Sequence, residues 1–174
     1  MIEIPIPGAE TLRLEHLIAD FNGTLAVDGL LLPGTAEALC RLSEKLAIHV
    51  VTADTFGTAR KALSGISCEL VILAEGAQDR AKLRYAEALG IAHCVCIGNG
   101  RNDLGMLAAA ELGIVVIQGE GAAVETLLAA KVAVPDIGAA LGLLLYPQRL
   151  VATLRVIGRY PAGLNRGKGE WHLL

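Results

Sequence analysis

The sequence consists of short apolar runs rich in valine and isoleucine that alternate with longer stretches rich in alanine, leucine, glutamate and arginine. This alternation is typical of repeated strand–helix units, because strands that are buried on both faces of a parallel sheet read as continuous apolar runs. It predicts an α/β fold, a three-layer α/β/α sandwich around a central, mostly parallel, Rossmann-like sheet. The predicted strands are residues 14–19, 47–52, 69–73, 93–97, 114–117 and 132–134, and the predicted helices are residues 35–46, 58–63, 79–89, 103–111, 122–130 and 137–145.

Two short hairpins are predicted beside this sheet. The opening I-E-I-P-I alternates apolar and polar residues and can pair with residues 12–14 at an edge, where prolines are tolerated. Residues 25–32 carry Asp28-Gly29 at their middle, a pair that favours a tight hairpin turn. Since the second hairpin follows the first central strand, we expect it to form a small flap beside that strand.

Length and composition favour one domain. Of the 174 residues, 53% are hydrophobic and 19% are charged, which is enough apolar material for one substantial core. We expect residues 1–158 to form this domain. The glycine-rich residues 159–174 have no periodicity, and we expect them to be loosely ordered.

Charge and hydropathy exclude several classes of partner. The formal net charge is -3 and the basic residues are scattered, so we expect no binding to nucleic acid or to anionic lipid. No run reaches the roughly 18 apolar residues that cross a membrane. The N-terminus has neither the basic start nor the long apolar stretch of a secretory signal, so we expect a cytoplasmic location.

The cysteines and histidines form no motif. There is no C-x-x-C, and Cys94 and Cys96 face the same side of a predicted strand, so reduced core thiols are expected rather than a disulfide or a zinc site. The histidines lack paired metal-ligand spacing. We interpret His49 and His93, each at a predicted strand start, as structural.

Polar residues gather at the carboxyl ends of four predicted strands, where open α/β sheets collect ligands. The first end presents Asp20, Gly23 and Thr24, the second Thr52 and Asp54, the helix after the third Lys82, and the fourth Asn99, Asn102 and Asp103. These are the parts that phosphoryl transfer needs. A carboxylate can attack phosphorus, while Mg²⁺ and a lysine neutralise charge on the phosphoryl oxygens.

The order and spacing of these residues resemble the four motifs of the haloacid dehalogenase (HAD) superfamily, which are D-x-D-G-T, a Ser or Thr, a Lys and an acidic G-D-x-x-x-D. They are more closely similar to the phosphorylation domain of P-type ATPases, with D-K-T-G-T, T-G-D and G-D-G-x-N-D. Here residues 20–24 read D-F-N-G-T, residues 52–54 read T-A-D and residues 98–103 read G-N-G-R-N-D. The resemblance extends to about Arg155, without the membrane helices of a pump.

This resemblance implies a Mg²⁺-dependent hydrolase that forms an aspartyl-phosphate on Asp20, with Thr52 and Lys82 holding the phosphoryl group. The remaining phosphate-binding residues that it implies are Gly23, Thr24, Ala53 and Asn102, and the Mg²⁺ ligands are the Asp20 carboxylate, the Asn22 main-chain carbonyl, Asn99 and Asp103. A small phosphorylated substrate or a phosphoanhydride is expected. The intervals between motifs leave no space for a cap domain. An open site suits large or macromolecular substrates, or a homo-oligomer in which a neighbouring copy supplies the lid.

Two departures from the HAD pattern each remove a negative charge. Asn22 stands where the family carries an Asp that protonates the leaving group and activates water, a role that contributes roughly two to four orders of magnitude in rate. The resemblance therefore implies slow turnover or a preference for good leaving groups. Asn99 replaces a charged metal ligand, so weaker metal affinity is expected.

Plainer interpretations of the same residues stay open. Residues 20–24 alone can be a simple turn, Asp54 is a good helix cap, and a lone Lys82 is most often solvated. Gly119 and Gly121 are interpreted as shaping a strand-to-helix connection, since a Walker pattern is absent. The alternative function is a catalytically weak phosphate- or nucleotide-binding regulatory protein. A dinucleotide-binding module is disfavoured, because no G-x-G-x-x-G follows the first strand.

Overall fold

The computed structural model describes residues 1–54, 57–74 and 76–156. In chain order the strands are β1 (Ile2–Ile4), β2 (Leu12–Leu14), β3 (His16–Ala19), β4 (Ala26–Val27), β5 (Leu30–Leu31), β6 (Ala47–Thr52), β7 (Glu69–Ile72), β8 (Cys94–Gly98), β9 (Leu112–Val116) and β10 (Val132–Val134). The helices are α1 (Thr35–Ser43), α2 (Ala59–Ala62), α3 (Gln78–Ala88), α4 (Leu104–Ala109), α5 (Val124–Ala129), α6 (Ile137–Leu145) and α7 (Pro147–Leu154), with 3₁₀ turns at Ile91–His93 and Arg101–Asp103. The predicted domain boundary at residue 158 and the predicted loose tail lie outside the described residues.

The central sheet has six strands, all parallel, in the order β10-β9-β8-β3-β6-β7. The strand β3 lies between β6 and β8, and Ala19 is in register with Val50 on one side and Ile97 on the other. Because parallel strands share a direction, the residues that follow β3, β6 and β8 meet at one edge of the sheet. The predicted parallel sheet is confirmed.

Helices cover both faces of this sheet. The helices α1, α2, α6 and α7 pack on one face through an aliphatic core that includes Leu17 and Val50. The helices α3, α4 and α5 pack on the other face through a second core that includes Ile18 and Val51. Successive strand residues point to opposite faces, which is why neighbours in the sequence contribute to different cores. The three-layer α/β/α sandwich is therefore confirmed.

Both predicted hairpins are present. The strands β1 and β2 pair antiparallel, with Ile2 opposite Leu14. The strands β4 and β5 pair antiparallel around Asp28 and Gly29, whose φ angles of 50° and 75° are both positive, as in a type I′ turn. Within the described residues, the sheet strands are joined only by the β4–β5 hairpin, single helices and short turns, with no inserted cap domain.

Some element boundaries differ from the predictions. The predicted strand 14–19 is two elements, because Leu14 pairs with β1 and the sheet strand begins at His16. The helix α7 was not predicted; it begins at Pro147, where a helix needs no N–H from its first residue. His49 lies inside β6 rather than at its start, and its ring nitrogens lie 3.1 Å from His16 Nδ1 and 2.9 Å from the Tyr85 hydroxyl.

The four cysteines are free thiols, and Cys94 and Cys96 are buried against the α3–α5 layer. In the described part of the chain, no single helix has the length and apolarity to cross a membrane. The helices α6 and α7 reach that length and composition only together, across a bend of 99°.

Candidate active site

One lysine joins two carboxylates at the edge where the central strands end. Lys82, on α3, is fully buried, and its Nζ donates to Asp20 Oδ1 and to Asp103 Oδ1, both at 2.6 Å. Asp20 follows β3, and Asp103 ends the 3₁₀ turn after β8. The packing of α3 and α4 on the same face of the sheet thus brings three distant segments together.

This group of charges is unbalanced. Burial raises the pKa of Asp20 to about 7, and the neighbouring Asp103 carboxylate acts in the same direction, while Lys82 opposes both. Burial by itself would lower the pKa of Lys82, but the two carboxylates together hold that pKa above its ordinary value. Two carboxylates share one ammonium, so a further cation would offset negative charge that Lys82 leaves uncompensated.

Asp103 also shapes the turn after β8. Its Oδ2 accepts from the N–H groups of Asn99 at 3.0 Å and Gly100 at 2.9 Å. A Cβ at Gly98 would lie 2.5 Å from Asp103 Cγ, so only glycine permits this approach. Both oxygens of Asp103 are therefore engaged within the protein.

Asn99 bridges two loops. Its Oδ1 accepts from Thr24 Oγ1 at 3.2 Å, and its Nδ2 donates to the Gly121 carbonyl at 3.0 Å. Asn102, on the same turn, donates from Nδ2 to Gln78 Oε1 at 3.3 Å.

The turn after Asp20 depends on Gly23. Gly23 has a φ of +77°, and its N–H donates to the Ala26 carbonyl at 2.7 Å. A Cβ there would lie 2.6 Å from Asn99 Nδ2 and 2.8 Å from Glu120 Oε2. The neighbouring Asn22 has a buried Oδ1 that has no hydrogen-bond partner among the described residues.

Thr52 and Asp54 have different roles after β6. The Thr52 hydroxyl oxygen accepts from the Asp54 N–H at 3.0 Å, a bond that does not use the hydroxyl proton. Asp54 Oδ1 accepts from the N–H groups of Thr58 and Ala59, both at 3.0 Å. Asp54 thus caps α2, as the plainer interpretation predicted.

A cleft of about 190 Å³ opens over these strand ends. It is lined by Asp20, Asn22, Thr52, Ala53, Gln78, Asn99, Gly100, Asn102 and Glu120. A second cleft of about 360 Å³ adjoins it, since Gln78 and Asn102 line both. Of the site residues predicted from the sequence, Gly23, Thr24, Lys82 and Asp103 are buried and do not line the first cleft.

Solved structures share this architecture. The chain matches 3-deoxy-D-manno-octulosonate 8-phosphate phosphatase from Moraxella catarrhalis, in complex with magnesium ion, phosphate ion and KDO, with a TM-score of 0.63 and 16% identity over 82% of this chain and 94% of that chain. It matches the cobalt-bound phosphatase of the same substrate from Haemophilus influenzae with a TM-score of 0.64 and 12% identity, over 83% and 94%. It matches a HAD superfamily (subfamily III A) hydrolase from Legionella pneumophila with a TM-score of 0.65 and 16% identity, over 80% and 88%.

The chain has the fold of the haloacid dehalogenase superfamily. The predicted family resemblance is thereby confirmed at the level of the fold, and identities of this size carry the comparison no further. The four segments that resemble HAD motifs in sequence lie at Asp20, Thr52, Lys82 and the turn 98–103 of this fold.

One curated relative is similar in sequence. It is uncharacterized protein MJ0073 of Methanocaldococcus jannaschii, 44% identical over 84 residues, which are 46% of this chain and 90% of that protein. The chain belongs to the same family as that protein, whose name states no activity. No protein-family model matches the chain.

Three residues around the HAD motifs were missed from the sequence. Gln78 and Glu120 line the cleft, and Gln118 Nε2 donates to the carbonyls of Gly23 and Thr24, both at 2.7 Å. Gln118 and Glu120 follow β9, so the strand-end rule could have nominated them. Gly119 and Gly121 beside them instead predicted only a strand-to-helix connection in this loop.

The residues present fit a divalent cation. No group of three or more His, Cys, Asp or Glu side chains that could hold a metal occurs in residues 1–54, 57–74 or 76–156, so carboxylates alone do not supply a metal site. Mg²⁺ prefers oxygen ligands and also accepts amide and main-chain oxygens. Three features suit such an ion. They are the Asp20 carboxylate, the Asn22 amide oxygen that has no partner among the described residues, and the negative charge that one lysine leaves uncompensated on two carboxylates.

Proposed function

We propose that this chain is a Mg²⁺-dependent phosphohydrolase that transfers a phosphoryl group to Asp20 and then releases it to water. The observation that carries the proposal is the pairing of Asp20 with Lys82 at 2.6 Å, at the floor of a cleft lined by polar side chains. A carboxylate at this position can act as a nucleophile. An adjacent ammonium offsets the charge that develops on the phosphoryl oxygens.

Each group has a defined task in this proposal. An Asp20 oxygen forms the bond to phosphorus, and the leaving oxygen departs on the opposite side with its electron pair. The Thr52 hydroxyl donates its free proton to a phosphoryl oxygen, and Asn102 and the Ala53 backbone line the same cleft. Asp103 holds Lys82 in position and fixes the turn that carries Asn99.

Bound Mg²⁺ would be held by the Asp20 carboxylate, the Asn22 carbonyl and the Asn99 amide oxygen, and would keep Asp20 ionised while offsetting phosphoryl charge. Direct ligation by Asp103 stays a prediction. Its two oxygens already accept hydrogen bonds from Lys82, Asn99 and Gly100.

We propose that the substrates are small phosphorylated compounds or phosphoanhydrides with good leaving groups, as in the P-type ATPase resemblance. Asn22 cannot donate a proton to the departing oxygen, so substrates such as acyl phosphates, whose leaving groups need no proton, should react fastest. A cytoplasmic location and a homo-oligomer that shields the site remain predictions from the sequence.

Phosphorylation of Asp20 provides the test. Protein incubated with Mg²⁺ and radiolabelled acetyl phosphate should acquire an acid-stable label on Asp20, and Asp20→Asn should abolish it. Asp28→Asn is the matched control, since Asp28 is exposed in the hairpin turn and asparagine also tolerates its positive φ. In parallel, acetyl phosphate should be hydrolysed faster than p-nitrophenyl phosphate or ATP.

The alternative is a phosphate- or nucleotide-binding regulatory protein, which the neutral Asn22 and Asn99 would suit. Phosphate or nucleotide binding without any label on Asp20 would favour it. Fast hydrolysis of ordinary phosphate monoesters would contradict the preference for good leaving groups.

A further inference from the structure

Among the residues that the structure describes, Asp20 and Glu120 are the two that line the cleft with a carboxyl group. Asp20 is paired with Lys82 and becomes esterified in the first step of the proposed reaction. The remaining lining residues are amides, a hydroxyl, an alanine and a glycine. Of the described residues that line the cleft, Glu120 is therefore the one that offers an acid–base group for the second step.

The loop that carries Glu120 is held on both sides. Before it, Gln118 donates to the Gly23 and Thr24 carbonyls at 2.7 Å and accepts from the Ile137 N–H at 3.0 Å. After it, the Gly121 carbonyl accepts from Asn99 Nδ2 at 3.0 Å. Loops held at both sides keep a side chain near one place, which general-base catalysis requires.

Gly23 leaves space for the Glu120 carboxylate. Glu120 Oε2 lies 2.8 Å from the position that a Gly23 Cβ would occupy, and Gly23 directly follows Asn22. The carboxylate therefore lies beside the turn whose HAD counterpart carries the acid–base aspartate. Glu120 is also exposed, so a proton that it takes up can pass to solvent.

Asn99, one of the two departures from the HAD motifs, holds the loop that carries Glu120. Its amide N–H donates to the Gly121 carbonyl, a bond that an aspartate could not make because a carboxylate has no donor. Asn99 thus lacks the negative charge that the HAD motif carries at this position. Its side chain instead holds the loop of Glu120, whose carboxylate lies at the cleft.

We propose that Glu120 is the general base for hydrolysis of the aspartyl-phosphate, and that Asn99 is its positioning residue. This inference rests on the proposed function. Glu120 takes a proton from a water molecule while the water oxygen bonds to phosphorus. The bond between phosphorus and the Asp20 oxygen breaks, and its electron pair returns to the Asp20 carboxylate. Phosphate leaves, and Glu120 releases its proton to solvent.

The test measures decay of the phosphoenzyme rather than overall turnover. Wild type, Glu120→Gln and Glu87→Gln are labelled with radioactive acetyl phosphate and Mg²⁺ and desalted, and loss of label is followed across pH 5 to 9. Glu87 is an exposed carboxylate on α3 outside the cleft, so its variant should match wild type. Glu120→Gln should accept label on Asp20 but lose it about a hundredfold more slowly or more, with a flattened pH profile.

A rescue variant separates a chemical role from a structural one. Adding Asn22→Asp to Glu120→Gln restores a carboxylate beside the same turn and should speed decay at least tenfold. Equal decay in wild type and Glu120→Gln, with labelling intact, would overturn the role of Glu120 alone. Absence of label from both proteins would overturn the proposed function together with this inference.

Discussion

Lys82 Nζ and Asp20 Oδ1 lie 2.6 Å apart although 62 positions separate the two residues in the chain. The contact brings an ammonium from the middle of α3 to a carboxylate at the end of the central strand, with no solvent exposure of the lysine. Stability and the proposed chemistry therefore depend on the same ion pair.

Removal of the Lys82 charge should destabilise the fold. Lys82→Met would leave Asp20 and Asp103 buried without their cation, and breaking a buried ion pair in this way costs about 3 to 5 kcal/mol. Urea denaturation at pH 7.5 measures the loss. Lys61→Met, on the exposed face of α2, should change the free energy of unfolding by less than about 0.5 kcal/mol. A small effect of Lys82→Met would mean that the carboxylates are solvated.

Gly23 and Gly34 form a matched pair of glycines. Their φ angles are +77° and +78°, but a Cβ at Gly23 meets Asn99 and Glu120, while a Cβ at Gly34 meets no described residue within 4 Å. Gly34→Ala should therefore cost only the backbone penalty of about 1 kcal/mol. Gly23→Ala should cost more in thermal unfolding and should also reduce labelling of Asp20 at least tenfold. Equal effects of the two substitutions would show that the loop moves aside freely.

Asn99→Asp should produce two opposite effects. The added charge should strengthen Mg²⁺ binding, measured by calorimetry, because hard cations prefer carboxylates. The lost N–H donor should release the Gly121 carbonyl and slow decay of the aspartyl-phosphate. In a Glu120→Gln background the same substitution should not slow decay further, which a double-mutant cycle tests. Additive slowing would argue that Asn99 acts independently of Glu120.

His49 should make stability depend on pH. Burial lowers its pKa below the ordinary 6.5, and His16 acts in the same direction, while Glu69 opposes them. Because the folded state binds this proton less readily than the unfolded state, its contribution is present above pH 6.5 and is lost as the pH falls through the folded pKa. His49 also contacts the Tyr85 hydroxyl, which stays neutral here because burial raises the Tyr85 pKa to about 12.

Thermal unfolding between pH 7.5 and 5 measures this dependence. Wild type should lose stability over that range more steeply than His49→Gln. The exposed His93 provides the control, since His93→Gln should keep the wild-type slope. Parallel curves for wild type and His49→Gln would exclude His49 as the source.

Much of the fold is encoded locally. The bounds of β6, β10 and α6 agree with the predicted ones, because each is an apolar run closed by clear turn or capping residues. Asp136, for example, accepts from the Ala139 N–H at the start of α6. The hairpin at Asp28 and Gly29 was predictable for the same reason, since few residue pairs tolerate two positive φ angles.

The candidate site was only partly predictable. Residues that belong to short motifs, such as Asp20 and Asn99, can be found by reading along the chain. Gln118 also follows a strand end, but its partners cannot be found by reading along the chain, because its bonds to Gly23 and Thr24 span 95 and 94 positions and depend on how two loops pack. The place of the Glu120 carboxylate beside Gly23 depends on the same packing of loops. The helix α7 was missed because Pro147 suggests a break, although proline also suits a first helical turn.

The six-stranded sheet ends in β10 on one side and β7 on the other, strands of only three and four residues. Such short edges expose few unpaired backbone N–H and C=O groups and make poor templates for addition of a foreign strand. A chain this rich in valine, isoleucine and leucine is thereby given some protection against edge-to-edge aggregation. Self-association of the folded protein should accordingly use helix surfaces or the hairpin rather than a continuous intermolecular sheet.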